Sequence, residues 1–156
     1  MCVLLALSLS ACDPGGFRFE YAPELLENAV GVELIDYKND DQLHFQSWAP
    51  DHSRDLKRFD VQNVTVLKTL EAKKLSDFLS ALARAEILEN YFAYDSPRGE
   101  CIRFNYENGD FLILWCEAER YSGYIGTFTP NGEAKRFVGC FSSYYSYEAL
   151  QKMIDG

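Results

Sequence analysis

The sequence predicts an α+β fold: an antiparallel sheet of about six or seven strands with helices packed on one face. Three observations carry this. Apolar runs in the second half are separated by short Gly-containing turns, which join antiparallel neighbours. One segment, 71–88, places Leu75, Phe78, Leu79 and Leu82 on a single helical stripe. The elements follow in the order α-β-β-β-α-β-β-β-β-α, in which consecutive strands dominate over strand–helix alternation.

The elements follow in order from local chemistry. Residues 12–20, with Pro14, Gly15 and Gly16, read as a tether, and 21–156 as a single α+β domain. Pro23 to Gly31 reads as a short helix, with proline in its first turn and glycine as its cap. Val32 to Tyr37 is a strand, Lys38-Asn39-Asp40-Asp41 a polar turn, and Leu43 to Trp48 a second, alternating strand. Ala49 to Phe59 is a polar surface loop, and Asn63 to Leu67 a third strand. In the helix from Glu71 to Leu88, Lys73, Lys74, Asp77 and Arg84 lie largely off the apolar stripe. One face therefore packs and the other meets water.

Two hairpins follow. Cys101 to Tyr106 and Phe111 to Cys116 flank Glu107-Asn108-Gly109-Asp110, and Asn-Gly between apolar runs is the strongest short hairpin signal. A two-residue Asn108-Gly109 turn or a four-residue Glu107–Asp110 loop sets one register. It places Ile102 opposite Trp115, Phe104 opposite Ile113 and Tyr106 opposite Phe111, all apolar and on one side. The same register puts Cys101 opposite Cys116 on the other side. Tyr121 to Phe128 and Ala134 to Phe141 flank Pro130-Asn131-Gly132 as the second hairpin. Ser146 caps a last helix, Tyr147 to Ile154, with Leu150 and Ile154 at i, i+4 spacing.

The chain has 156 residues, 47% of them hydrophobic and 15% aromatic, which is enough for a real core. Its formal net charge is −9. An acidic chain is a poor match for nucleic acid, whose phosphates demand Lys and Arg.

The first thirteen residues decide location. An apolar run, Val3 to Leu9, ends in Ser10, Ala11 and Cys12, and is far too short to span a bilayer. The run Leu9-Ser10-Ala11-Cys12 resembles the cleavage box of bacterial lipoprotein precursors: an aliphatic residue, two small residues, then the cysteine that receives lipid. The resemblance covers residues 1–13. It implies a signal peptide over 1–11, cleavage before Cys12, and a thioether-linked diacylglycerol with palmitate-type chains on that cysteine. Asp13 would follow it, where in some Gram-negative lipoproteins an aspartate favours retention at the inner membrane. No Lys or Arg precedes Arg18, so the basic n-region of such leaders is missing from these residues, as expected if the start codon lies upstream or the sequence has been trimmed. The implied location is the extracytoplasmic face of the cell membrane, lipid-anchored. The domain's acidity would repel anionic head groups, so the acyl chains would have to do the anchoring.

Outside the cytoplasm a facing cysteine pair oxidises. With Cys2 removed and Cys12 lipidated, Cys101–Cys116 is the expected disulfide. Pairing with Cys140 of the neighbouring hairpin, or no disulfide, are the alternatives.

Motifs for chemistry are absent from the sequence. The two histidines, His44 and His52, stand in no metal-ligand spacing, and no Cys-x-x-Cys occurs. Asp51, His52 and Ser53 are adjacent in a loop, whereas triads assemble in space. Asp36, Asn39, Asp40 and Asp41 do not fit a calcium loop. No catalytic residue, cofactor or metal site is expected. The aromatic enrichment is the one unusual feature: Tyr121, Tyr124, Tyr144, Tyr145 and Tyr147 are the candidate binding residues, since tyrosines stack on sugars and fill interfaces. The functional expectation is a membrane-anchored, non-catalytic binding or accessory lipoprotein whose partner is an envelope protein or glycan. The alternative is a small cell-envelope hydrolase using acidic residues such as Asp110, Glu117 or Glu119, which would need a carboxyl with a raised pKa.

Overall fold

The computed structural model describes residues 19–21, 26, 28–38, 59–82, 85–88, 99–115, 122–142 and 145–156; for 19–21, 86–88, 122–124 and 136–142 the backbone alone is described. The strands are β1 (Phe19–Tyr21), β2 (Ala29–Tyr37), β3 (Val64–Thr69), β4 (Glu86–Leu88), β5 (Gly99–Tyr106), β6 (Phe111–Trp115), β7 (Ser122–Phe128) and β8 (Ala134–Ser142). The helices are α1 (Ala72–Ala81) and α2 (Tyr147–Asp155). The eight strands form one sheet in the order β1-β4-β8-β7-β6-β5-β2-β3, with every described pairing antiparallel. Six strands are long, and the three-residue β1 and β4 extend one edge. The α+β class holds, with both helices on one face.

Both faces of the central strands are buried. On one face Val32, Leu34, Ile102, Phe104, Leu112, Leu114 and Ile125 pack under Phe78 and Leu82 of the α1 segment and Tyr147, Leu150 and Ile154 of α2. On the other, Ile35, Tyr37, Cys101, Phe111, Ile113, Trp115 and Phe128 gather around Phe59. The ring of Phe59 stacks on Tyr37 at 4.1 Å and touches Phe128 at 5.2 Å and Phe111 at 5.4 Å. Tyr37 and Phe128 thus lie within roughly 9 Å of each other, although β2 and β7 are three strands apart, ~14 Å in a flat sheet. The sheet is rolled around this second core, and Phe59 plugs it.

Several expectations are corrected. The proposed helix over Pro23–Gly31 gives way to strand at Ala29–Gly31. There Ala29 pairs with Tyr106 and Gly31 with Asn105, leaving Val30 as the extra residue of a bulge. Leu26 is helical. The long helix ends at Ala81, and Glu86–Leu88 form β4 between β1 and β8. Tertiary pairing here overrides helical propensity. The strand over Leu43–Trp48 and most of the loop over 49–59 fall outside the described residues.

The hairpin register is also off by one. Ile102 faces Leu114, Phe104 faces Leu112 and Asn105 faces Phe111. The loop has three residues: Tyr106 N–H bonds Asp110 O, Gly109 N–H bonds Tyr106 O, and Gly109 alone takes a positive φ of 83°. This is a turn followed by a left-handed glycine, in place of the expected two-residue Asn108-Gly109 turn or four-residue Glu107–Asp110 loop. Continued by one residue, the register sets Trp115, not Cys116, opposite Cys101. The geometric case for Cys101–Cys116 is therefore lost. The buried Cys101 thiol donates to Gly99 O at 3.6 Å, and no disulfide is seen among the described residues. Cys116 lies outside them, and of Cys140 only the backbone is described.

Candidate functional site

The helix-covered face carries the candidate site. Helix α1 begins at Glu71, whose carboxylate pairs with Lys73 at 2.7 Å and Lys74 at 3.8 Å. The bond from Lys73, then the Lys74 charge, holds the Glu71 carboxyl below its ordinary pKa, and a negative group suits a helix N-terminus. The helix buries Phe78, half-buries Leu75 and Leu79, and closes where Leu82 N–H meets the carbonyls of Leu79 and Ser80. Helix α2 opens on Ser146, whose Oγ accepts from Ala149 N–H at 3.2 Å. It closes on Gly156, whose φ of 87° suits a C-terminal glycine. Its Glu148–Lys152 pair, 2.6 Å apart at i, i+4, lies on the exposed side.

Between the two helices runs an open groove of about 620 Å³. Leu70, Phe78, Ala81 and Met153 form its apolar floor, Tyr145 stands as an aromatic wall, and Lys74, Asp77 and Ser80 supply polar groups. Such a surface can hold an apolar body with a polar end. Of its polar groups, Ser80 Oγ already donates to Ser76 O at 2.7 Å and Lys74 pairs with Glu71. Among the described residues no group of three His, Cys, Asp or Glu converges.

The structure separates the five candidate tyrosines. Tyr145 lines the groove. Tyr147 does not: it is only 3% exposed, with its hydroxyl donating to Glu100 O (2.9 Å) and within reach of Leu114 O (3.2 Å). It fastens α2 to the sheet, and is corrected from binding residue to core residue. Tyr124 is described in backbone only, opposite Trp115 and Cys140. Tyr121, Tyr144 and the lipid-attachment residue Cys12 lie outside the described residues. Sequence reasoning missed Phe78, Met153, Lys74 and Asp77 as groove residues. Phe78 was legible as part of an apolar stripe, but the stripe does not tell which of its members border an opening.

Asp110, a carboxylate weighed for acid catalysis, is a turn staple. It pairs with Lys135 at 2.5 Å and accepts from Asn108 Nδ2 at 2.8 Å. The Lys135 bond holds its carboxyl below the ordinary value, the reverse of what a general acid needs. Glu117 and Glu119 lie outside the described residues. Glu33, also partly buried, accepts from Arg103 and Asn105 across neighbouring strands. Among the described residues no helix is long and apolar enough to cross a membrane.

No family profile matches the chain, and no curated protein or solved structure is similar to it.

Proposed function

We propose that the protein is an extracytoplasmic lipoprotein, held at the membrane by acyl chains on Cys12, with a non-catalytic binding or accessory role. The observation that carries this reading is the run Leu9-Ser10-Ala11-Cys12 at the end of a short apolar segment, followed by Pro14-Gly15-Gly16. Cys101 and Cys116 would then meet an oxidising compartment, although the register no longer makes them direct neighbours. The net charge of −9 fits an anchor that works through acyl chains and not through attraction to anionic lipid.

The binding part of the reading rests on the groove between α1 and α2. Its apolar floor and single tyrosine wall suit a small amphipathic ligand or the apolar side chains of an envelope partner. Ala81 is half-buried on its lining, so Ala81→Trp fills the groove without replacing a core side chain.

Two experiments test the parts separately. Radiolabelled palmitate fed to the native host should label the wild-type protein and not Cys12→Ala; an unlabelled wild type overturns the anchor. A thermal-shift screen of small amphipathic molecules should yield compounds that raise Tm in the wild type and lose the effect in Ala81→Trp. Compounds that stabilise both proteins equally overturn the groove as the binding site.

A further inference from the structure

The large apolar side chains left exposed among the described residues all lie on one margin of the sheet: Val30 of β2, and Val66 and Leu67 of β3, each of the latter 46% exposed. Strand β3 ends the sheet order, and only Val64 along its length is half-covered. It carries one charge, Lys68, whose ammonium lies 3.9 Å from Asp155 of α2. Among the described residues β3 pairs on one side only, and a sheet edge with exposed valines is a template for another strand.

The register says which backbone groups it offers. Lys38 N–H donates to Asn63 O at 3.0 Å, and the pairs then run Tyr37–Val64, Asp36–Thr65 and Ile35–Val66. Bonded and non-bonded pairs alternate along an antiparallel ladder. Thr65 is therefore bonded inward to Asp36, and the N–H and C=O of Val64 and Val66 point away from β2. The bulge at Leu67 interrupts this alternation immediately afterwards.

We propose that two copies of the chain associate through β3, antiparallel about a two-fold axis at Thr65, with Val64 exchanging both backbone hydrogen bonds with the partner's Val66. A second copy fits because Val64-Thr65-Val66 reads the same in both directions. One register satisfies all the outward groups and matches the side chains. Val64 meets the partner's Val66 on the Phe59 face, and Thr65 meets the partner's Thr65 on the helix face; both are favourable cross-strand pairs. Lys68 falls outside the paired core, so no like charges face each other. The bulge limits pairing to this core and the two-fold uses up the edge, which gives a closed dimer and not a filament. Three residues a side bury far less than the ~1,200–2,000 Å² of a stable interface. Each copy also carries −9. The dimer is accordingly weak, and salt tightens it by screening the repulsion.

Sedimentation equilibrium of the full chain, from micromolar to millimolar and at two salt concentrations, tests this. The expected result is a monomer–dimer equilibrium that tightens with salt and that Val66→Lys weakens by about tenfold or more. Thr65→Cys, oxidised under native conditions, should give covalent dimer above the background that the native thiols set in the wild type. Circular dichroism of Val66→Lys controls for folding, since the residue is exposed. A chain monomeric throughout, a dimer indifferent to Val66→Lys, or no extra covalent dimer from Thr65→Cys overturns the proposal.

Discussion

Gly132 lies against the backbone of Phe59. Phe59 N–H donates to Gly132 O at 2.8 Å, and a Cβ on Gly132 would fall 1.9 Å from Phe59 O. The turn between β7 and β8 is thereby clasped to the segment that leads into β3. This contact closes the rolled sheet over the Phe59 core, and it is possible only because position 132 has no side chain and takes a φ of 81°.

Three glycines with positive φ should therefore respond differently to alanine. At Gly99 the space is open, so Gly99→Ala carries only the left-handed penalty, about 1 kcal/mol. At Gly109 a Cβ would approach the Pro130 side chain to 3.1 Å, and the cost should be somewhat larger, about 1–2 kcal/mol. Gly132→Ala adds a clash with backbone that cannot move aside, and should cost more than about 3 kcal/mol. Urea midpoints of the three variants should fall in that order.

Phe59→Ala should cost about 3–5 kcal/mol, because the ring is wholly buried and touches three aromatic neighbours. Phe59→Leu should recover part of this. Equilibrium denaturation reads both, and a loss below about 1 kcal/mol for the alanine variant would mean that Phe59 does not plug the core.

Alkaline stability should depend on Tyr106. Burial, and then the Asp110 charge, push its phenol from 10.0 up to about 12. The folded state thus resists ionisation that the unfolded chain accepts. Stability from this source is fully present below pH 10 and is lost as pH rises toward about 12. Burial also raises the Tyr37 phenol, so ultraviolet titration should show late tyrosine ionisation from which Tyr106→Phe removes one component, and the variant should lose less stability across that window.

Tyr147→Phe should cost about 1–2 kcal/mol, since it strips a buried hydroxyl from the carbonyls of Glu100 and Leu114 without changing the ring. Amide exchange across α2 should accelerate in parallel.

How much of this was legible varies with the range of the forces. Helix α2 could be read because its cap, its first turn and its Leu150/Ile154 spacing are all local. Helix α1 could be read in its body but not at its end, where strand pairing with β1 and β8 decides the conformation of Glu86–Leu88. The first hairpin could be read in position but not in register. Strand β6 is apolar at every position, so alternation could not choose, and the turn chose instead. Asn108 Oδ1 accepts from Asp110 N–H at 3.0 Å, and only Gly109 needs positive φ. The signal stood in the second turn: Pro130 has no N–H to close a two-residue Asn131-Gly132 turn, and Thr129 N–H bonds Glu133 O instead, giving a three-residue loop that Glu107-Asn108-Gly109 matches. The rolling of the sheet, and with it the burial of Phe59 and the opening between α1 and α2, depends on contacts far apart in sequence. No local pattern carries them.

The proposed function depends first on the anchor at Cys12. Its most direct test is the intact mass of the protein extracted from membranes of its native host, with thiols alkylated before any reduction. Lipidation at Cys12 predicts residues 12–156 plus acyl chains, in the membrane fraction. An unprocessed chain in the soluble fraction, carrying no lipid and with Cys12 alkylated, would contradict it.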